Sequence, residues 1–398
     1  MVSLPPLSSA ILEAHHSGIR EISNLAMARP GTIRLEVGQP NFPTPSHVAE
    51  AGRKAIQEGW TFYTQTFGLP SLRERLAAKL ERVNGLSVDP GRIVCGSGGV
   101  SVISAAVAAL CDPGDEVLLP DPHWPNLTTM AATAHARCVF YPCPAELGFL
   151  PDLDRLDALV SERTRLLVVN SPNNPTGAVY PPAVLRAIGE IAERHNIWLL
   201  SDQCYDQISL DAEAAAPSLA TFADPERVIS AFTFSKTYSM TGWRLGYATA
   251  APQVVDGMVK VLESNTSCPS TISQKAGEAA LDGPQECVGE MVSAYRRRRD
   301  LVVDLLREAA LLLSVPQGAF YILADVSPAA RDSRSFALRL LDERGVGVAP
   351  GTAFGQVAAG AVRISLASSD EDLREGVGRI CEMVGELAET PLAPSRPR

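Results

Sequence analysis

Residues 165–202 read RLLVVNSPNNPTGAVYPPAVLRAIGEIAERHNIWLLSD, and this stretch decides the architecture. The apolar run 165–170 predicts a buried strand, the amphipathic pattern of 182–195 predicts a helix, and 197–201 predicts the next strand. A strand, a crossover helix and a second strand form the unit from which parallel sheets are built. The stretch therefore predicts a parallel pair of strands covered by a helix.

The same alternation extends in both directions along the chain. Further strands are predicted at 92–95, 116–119, 227–232 and 245–248, with a helix at 100–110. A capping box of Ser71 and Glu74 predicts the start of a helix whose leucines recur on one face. Strands separated by helices indicate an α/β fold with a mostly parallel sheet that is covered on both faces.

Beyond residue 285 the regular alternation of predicted strands and helices ends. Helices are predicted at 288–313, 335–344 and 371–387, with strands at 319–324 and 361–366, which together indicate a smaller α+β domain. We predict four segments: 1–45 as an N-terminal arm that packs with the small domain, 46–285 as the large domain, 286–390 as the small C-terminal domain, and 391–398 as a disordered tail.

Composition excludes several classes of protein. The chain has 398 residues, a net charge of -10 and 46% hydrophobic residues, so it is too long for one small module and too apolar for disorder. An acidic balance disfavours a general nucleic-acid binder, which needs a basic face. Eight cysteines without a C-x-x-C pair predict neither a disulfide scaffold nor a metal site. The N-terminus does not resemble a secretory signal, and no apolar segment is long enough to span a bilayer, so we expect a cytoplasmic protein.

Unusual residues follow several of the predicted strands, where ligands bind in open α/β sheets. The turn at 96–99, G-S-G-G, precedes a helix and is either an anion cup or a plain tight turn. Ser101 stands where a dinucleotide fingerprint needs glycine, so NAD binding is poorly supported. Trp124 follows the next strand, as a core residue or as a flat surface for a ring.

Three further strand ends carry polar groups. The run 170–177, N-S-P-N-N-P-T-G, makes a rigid turn in which Asn174–Pro175 is a candidate cis peptide bond. Asp202 follows a buried strand and needs a partner, for which a protonated ring nitrogen would serve. Lys236 emerges from the apolar run 228–234. It is either a nucleophilic amine with a lowered pKa or a lysine that extends to the surface.

Taken together, these motifs resemble the class I and II aminotransferases, the fold-type-I enzymes that depend on pyridoxal 5′-phosphate. That family implies a large domain with a mostly parallel, seven-stranded type of sheet and a smaller α+β domain. The resemblance covers essentially the whole chain in the family's order. The matching stretches are VGQPNFPTP at 37–45, YTQTFGLPSLR at 63–73, NSPNNPTG at 170–177, SDQCY at 201–205, SKTYSMTGWR at 235–244, PQGAFY at 316–321 and VRIS at 362–365.

The resemblance implies a cofactor site. Lys236 would form the internal aldimine and carry the substrate proton as general acid and base, through a pyridoxamine phosphate form of the cofactor. Asp202 would pair with the pyridinium nitrogen. The other residues implied to bind the cofactor are Asn174 and Tyr205 at the phenolic oxygen, Trp124 on the ring face, and Ser97, Gly98, Ser235 and Arg244 at the phosphate.

The resemblance also implies the partners. Arg363, helped by Gly38 and Asn174, would bind the substrate α-carboxylate, and the substrates would be an L-amino acid and a 2-oxo acid. Tyr63 would reach the cofactor phosphate of a second subunit, so a homodimer with shared active sites is expected. No metal, nucleic acid or membrane is expected to take part.

The substrate pocket departs from the family pattern. His123 stands where an aromatic residue is common, Gln203 where glutamate is common, and Cys268 where asparagine is frequent. A dicarboxylic substrate needs a second cation, for which Arg20 and Arg34 are candidates by location. Two alternatives stay open: a pyridoxal enzyme of the same fold with other chemistry (β- or γ-elimination, racemisation, or amino-acid oxidation or deamination) in a specialised biosynthetic pathway, or a non-enzymatic regulator that keeps the fold.

Overall fold

The structure is a computed structural model that describes residues 5, 8, 11–12, 18–330 and 332–389. The tail predicted at 391–398 lies outside the described residues. The strands are β1 (Ile33–Arg34), β2 (Ile93–Gly96), β3 (Glu116–Asp121), β4 (Arg137–Pro142), β5 (Thr164–Asn170), β6 (Trp198–Asp202), β7 (Val228–Thr233), β8 (Gly246–Thr249), β9 (Tyr321–Asp325), β10 (Val346–Gly347), β11 (Ala349–Pro350) and β12 (Ala361–Ser365).

The helices alternate with these strands through most of the chain. They are α1 (Gly18–Met27), α2 (Ser46–Gln57), α3 (Pro70–Asn84), α4 (Gly99–Leu110), α5 (Asn126–Thr133), α6 (Leu153–Leu159), α7 (Pro182–His195), α8 (Phe234–Thr237), α9 (Pro252–Thr266), α10 (Thr271–Asp282), α11 (Glu286–Glu308), α12 (Ser333–Arg344) and α13 (Asp370–Ala388).

A seven-stranded sheet in the order β2-β8-β7-β6-β5-β3-β4 forms the first layer of the fold. The four pairs from β7 to β4 are parallel, and β8 is antiparallel to both of its neighbours. The predicted α/β fold with a mostly parallel sheet is confirmed.

Both faces of this sheet are buried. Along β5, Leu166 and Val168 join a core cluster with α4 and α9, whereas Leu167 and Val169 join a second cluster with α6 and α7. Because successive side chains of a strand point to opposite faces, a strand covered on both sides is apolar throughout. This explains why residues 166–169, LLVV, form a continuous apolar run.

The C-terminal part has its own antiparallel sheet, β11-β12-β9, and its own core with α11, α12 and α13. The N-terminal segment joins it, because β1 pairs in parallel with β10 and the Ser365 N–H donates to the Leu35 carbonyl at 2.8 Å. This pairing places residues 33–38 beside β12.

Some local predictions were wrong or incomplete. Ser71 does not cap α3, because Pro70 starts the helix with its fixed φ, and the Ser71 hydroxyl donates instead to Glu278. The cis peptide bonds precede Pro122 and Pro172, and the bond before Pro175 is trans. Strand β4 was not predicted. In the described part of the chain, no helix combines the length and the apolar character that a membrane crossing requires.

Candidate active site

A cleft of about 430 Å³ opens at the carboxyl ends of the central strands. Because parallel strands end at the same edge of a sheet, β5, β6 and β7 deliver their following residues to one place. The N-terminal segment and β12 close the other side. Nine of the predicted site residues line this cleft: Gly38, Trp124, Asn174, Asp202, Tyr205, Ser235, Lys236, Arg244 and Arg363.

Lys236 follows β7 directly. The buried strand Val228–Thr233 ends in the short helix α8, whose first turn is capped by the Thr233 hydroxyl, and Lys236 projects from that helix into the cleft. Its Nζ donates to the Gly38 carbonyl at 2.6 Å. Burial lowers the pKa of Lys236 to about 8, so a neutral amine is accessible near physiological pH. A neutral amine is the form that attacks a carbonyl or aldehyde carbon.

Asp202 lies at the end of β6 and is 3% exposed. Its Oδ1 accepts the Cys204 N–H at 3.1 Å, and no ion pair with a cation is found for it in the described part of the chain. Burial raises the pKa of Asp202, while the nearby Lys236 opposes that rise. A buried carboxylate that lacks a cationic partner suits a ligand with a protonated nitrogen.

The turn after β5 is fixed by its own amides. The Asn170 Oδ1 accepts the Asn174 N–H at 2.8 Å, and the Asn170 Nδ2 donates to the Asp202 carbonyl at 3.1 Å. The turn after β5 and the end of β6 are thereby held in register. Asn174 in turn directs its side-chain oxygen to Arg363.

Tyr205 and Tyr321 form a pair of hydroxyls inside the cleft, 3.0 Å apart. Burial raises the pKa of both phenols, so both stay protonated at neutral pH. Tyr321 was quoted in the PQGAFY stretch but was not predicted as a site residue. Its position at the start of β9, opposite Ser365 of β12, brings it to the cleft.

The other end of the cleft has the features of an anion-binding site, formed by Gly98 and Arg244 and here called the anion seat. Gly98 has φ +88° and precedes helix α4, whose free N–H groups face it. Arg244 donates to the Ser97 carbonyl at 3.3 Å and to the Thr241 carbonyl at 2.9 Å. A Cβ on Gly98 would lie 2.9 Å from the Arg244 Cζ and closer still to Nη2. Ser97 and Gly98 do not line the cleft themselves, but both contact Arg244, which does.

Arg363 is the most deeply buried cation of the site, at 2% exposure. It donates to the Asn174 Oδ1 at 2.8 Å and to the Glu36 carbonyl at 2.7 Å, and its Nε has no partner. The rings of Tyr321 and Phe354 lie 4.2 and 4.9 Å from its Cζ. Each Nη group uses one N–H in these bonds and keeps a second, so the guanidinium still has donors for an incoming carboxylate.

The residues that depart from the family pattern, His123, Gln203 and Cys268, do not line the cleft. His123 is buried against Phe140, with ring centroids 5.0 Å apart, and burial lowers its pKa to about 4. Arg34 is paired with Glu36 at 2.6 Å. Arg20 lines the cleft and makes no hydrogen bond or ion pair within the described residues. Of the two candidate cations, Arg20 is the one available to a ligand.

Tyr63 is the one predicted site residue that lies away from the cleft. Its side chain is 85% exposed, beside Phe62 at 81%. The segment that carries it is anchored, since the Thr64 N–H donates to the Cys268 sulfur at 3.4 Å and the Thr271 hydroxyl donates to the Phe62 carbonyl at 2.7 Å. Two exposed aromatic rings on an anchored segment form an apolar surface.

The residues of the cleft fit pyridoxal 5′-phosphate. The cleft volume lies in the range of small-molecule sites. The unpaired Asp202, the amine of Lys236 and the seat at Gly98 and Arg244 match a pyridinium nitrogen, an aldehyde and a phosphate in turn. Such a match of three chemically different groups in one cleft is specific.

Known proteins resemble the chain in both sequence and structure. A family model described as aminotransferase class I and II matches residues 30–380. The aspartate/prephenate aminotransferase of Thermus thermophilus is 41% identical over 367 residues, which are 91% of this chain and 94% of that protein. The aspartate aminotransferase of Pyrococcus horikoshii is 37% identical over 94% of this chain and 96% of that protein.

Two solved structures illustrate the structural similarity. The aspartate aminotransferase from Thermus thermophilus with maleate has a TM-score of 0.90 at 40% identity and covers 96% of this chain and 100% of that one. The aromatic aminotransferase from Pyrococcus horikoshii has a TM-score of 0.86 at 35% identity, over 92% of this chain and 99% of that one.

Proposed function

The chain belongs to the class I and II aminotransferases, and from that membership we propose which of its residues perform the reaction. It is an enzyme that uses pyridoxal 5′-phosphate to exchange an amino group between an amino acid and a 2-oxo acid. The assignment of roles rests on one observation: Lys236, Asp202 and Arg363 line the same cleft.

We assign the cofactor to the space between the anion seat and Asp202. Ser97, Gly98, Ser235 and Arg244 hold its phosphate, Asp202 pairs with its ring nitrogen, and Trp124 covers the ring. Asn174 and Tyr205 donate hydrogen bonds to its phenolic oxygen. When bound, the cofactor withdraws electron density from the substrate Cα and so acidifies the proton there.

We assign the proton transfer to Lys236. Its neutral amine would act as the general base that takes the proton from the substrate Cα and as the general acid that later gives this proton up. The lowered pKa of Lys236 suits this work, because a base is most effective when its pKa lies near the working pH. The hydrogen bond to the Gly38 carbonyl keeps the amine inside the cleft between these steps.

We assign the α-carboxylate of both substrates to Arg363. Its Nη1 and Nη2 each keep a second N–H beside the bonds to Asn174 and Glu36, and these provide the donors for that carboxylate. The Gly38 segment and Asn174 shape the same corner. Arg363 lies in the C-terminal sheet, and Lys236 lies just after a strand of the central sheet. We therefore also propose that the chain divides into a large and a small domain at about residue 285, with residues 1–45 joined to the small domain.

For the substrate side chain we propose a dicarboxylic amino acid such as aspartate. Two similar proteins carry aspartate in their names, and Arg20 offers an unpaired cation in the same cleft. Replacement of Arg20 by Gln should raise KM for aspartate about tenfold and leave KM for alanine unchanged, since a charge-assisted bond contributes roughly 1.5–3 kcal/mol. Equal changes for both amino acids would contradict this assignment.

We propose that the enzyme is a homodimer. The exposed Phe62 and Tyr63 form an anchored apolar surface of the kind that a partner subunit covers, and Tyr63 is assigned to the partner's cofactor phosphate. Sedimentation equilibrium should give twice the chain mass, and mixing a Tyr63→Phe variant with a Lys236→Ala variant should give hybrid dimers of intermediate activity. A monomer with full activity would refute the shared site.

The reaction itself is tested with a panel of L-amino acids and 2-oxo acids. The cofactor-loaded protein should produce a new amino acid and a new oxo acid in equal amounts, and Lys236→Ala should abolish this exchange. Release of ammonia, or of an eliminated side chain, without amino transfer would favour the elimination chemistry. Unchanged activity of Lys236→Ala would refute the role of the lysine.

A further inference from the structure

The loop between β11 and β12 supports the Arg363 side chain. This loop, residues 351–360, carries Phe354, whose ring lies 4.9 Å from the Arg363 Cζ. Phe354 is fully buried, and β11 pairs with β12 so that Ala349 lies opposite Arg363. The orientation of the guanidinium therefore depends on where this loop holds the Phe354 ring.

The loop is tied to the central sheet by Asp121, the last residue of β3. The two carboxylate oxygens of Asp121 accept the backbone N–H groups of Gln356 at 3.0 Å and Val357 at 3.2 Å. Two residues beyond the end of β3, the His123 N–H donates to the Phe354 carbonyl at 2.8 Å. Three hydrogen bonds, two to Asp121 and one from His123, thus fix the loop around Phe354.

Asp121 is unusual as a structural anchor. It is 8% exposed, and within the described residues it forms no ion pair. Gly355 allows the close approach, with φ +131°, because a Cβ there would lie 2.7 Å from the Asp121 Cγ. A buried, unpaired carboxylate costs free energy unless it is solvated by hydrogen bonds, and here the loop backbone provides them.

We propose that Asp121 is a positioning residue for substrate binding: it fixes the loop 351–360, and through Phe354 it orients Arg363 for the substrate carboxylate. The inference rests on the proposed role of Arg363. Asp121 itself does not line the cleft. Its loss should therefore weaken the binding of carboxylates without changing the chemical step.

The test measures succinate binding and turnover in the cofactor-loaded enzyme. Asp121→Asn retains the shape but has one neutral acceptor oxygen and one NH2 donor, so both backbone N–H groups lose a charged acceptor and one of them loses its hydrogen bond. We expect the dissociation constant of succinate, read by calorimetry, to rise about tenfold. KM should rise for amino acid and oxo acid alike, while kcat and the dissociation constant of the cofactor stay within about twofold.

A second variant reaches the same contact from the loop. Gly355→Ala should push the loop away from Asp121 and raise the succinate dissociation constant by a similar factor. The double variant should be no worse than either single one, because both changes break the same contact. The matched control is Glu116→Gln: Glu116 is another buried carboxylate of β3, at the opposite end of the strand, bonded to Ser161 at 2.6 Å. Its replacement should leave succinate binding unchanged.

Three outcomes would overturn the inference. Unchanged binding in Asp121→Asn would do so, as would an equal loss in Glu116→Gln, which would show a general effect on the strand. Additive losses in the double variant would show that the two residues act separately. Arg363→Ala separates this inference from the proposed function. If Arg363→Ala abolishes succinate binding and Asp121→Asn does not affect it, only the inference fails; if Arg363→Ala has no effect, the proposed clamp fails too.

Discussion

Replacing Gly98 by Ala should weaken cofactor binding, and this loss should not be explained by a general loss of folding stability. The new Cβ would lie 2.9 Å from the Arg244 Cζ, whereas ordinary contacts begin near 3.4 Å, so the guanidinium must move by at least about half an ångström. The shift removes Arg244 from its bond to the Ser97 carbonyl and from the proposed phosphate position.

The size of the effect follows from the bond that is lost. A hydrogen bond to a charged group contributes roughly 1.5–3 kcal/mol, so the dissociation constant of pyridoxal 5′-phosphate should rise about 10- to 100-fold. The assay is a titration of the apoenzyme with the cofactor, followed by its visible absorbance. Adding inorganic phosphate should compete with the cofactor in the wild type and compete less in the variant.

Gly114 provides a matched control. Its φ of +91° is close to the +88° of Gly98, but nothing lies within 4 Å of a Cβ built there. Gly114→Ala also places a side chain at a positive φ but meets no neighbouring atom, so it should lower the stability without changing the cofactor titration. If both variants weaken cofactor binding equally, the effect is one of backbone strain and the reasoning about Arg244 is wrong.

Three further predictions concern titration and burial. In the apoenzyme, the reaction of Lys236 with an amine acylating reagent should have a midpoint near pH 8, well below that of the exposed lysines. Peptide mass spectrometry measures the extent of acylation at each lysine. A midpoint near pH 10 for Lys236 would contradict the prediction. His123 has a folded pKa of about 4, below the 6.5 of an unfolded histidine, so the unfolded chain binds the extra proton and stability should fall by up to about 3 kcal/mol as pH falls from 6.5 to 4. His123→Phe should flatten that slope in denaturant titrations. Lys79 and Asp206 form a buried ion pair at 2.5 Å, so Lys79→Met should cost roughly 3–5 kcal/mol of stability. The double variant Lys79→Met, Asp206→Leu should lose less stability, because it leaves no buried charge without a partner. Equal losses in the single and double variants would refute this prediction.

The central sheet was predictable because its strands are apolar throughout and its helices are amphipathic. Strand β4 was missed although its residues 138–141, CVFY, are apolar. It is the edge strand beside β3, and its exposed residues Arg137 and Phe140 do not alternate with buried ones, so the sequence lacks the alternation that is typical of a half-exposed strand.

The site was predictable only in part. Asp202 and Lys236 stand out in the sequence because polar groups directly follow apolar runs, but their proposed roles come from the family resemblance. Arg363 was predicted from the family resemblance. Glu36 was missed because it acts through its backbone carbonyl, which every residue possesses, and Phe354 was missed because only the folded loop brings it to Arg363.

The bond between Arg363 and the Glu36 carbonyl joins residues 327 positions apart. The groups assigned to the cofactor phosphate, from Ser97 to Arg244, are all present once synthesis has passed residue 244. The carboxylate clamp, by contrast, cannot exist until the ribosome has added β12, which must then find a segment made 327 residues earlier. During synthesis, the half of the cleft assigned to the cofactor can therefore form well before the half assigned to the substrate.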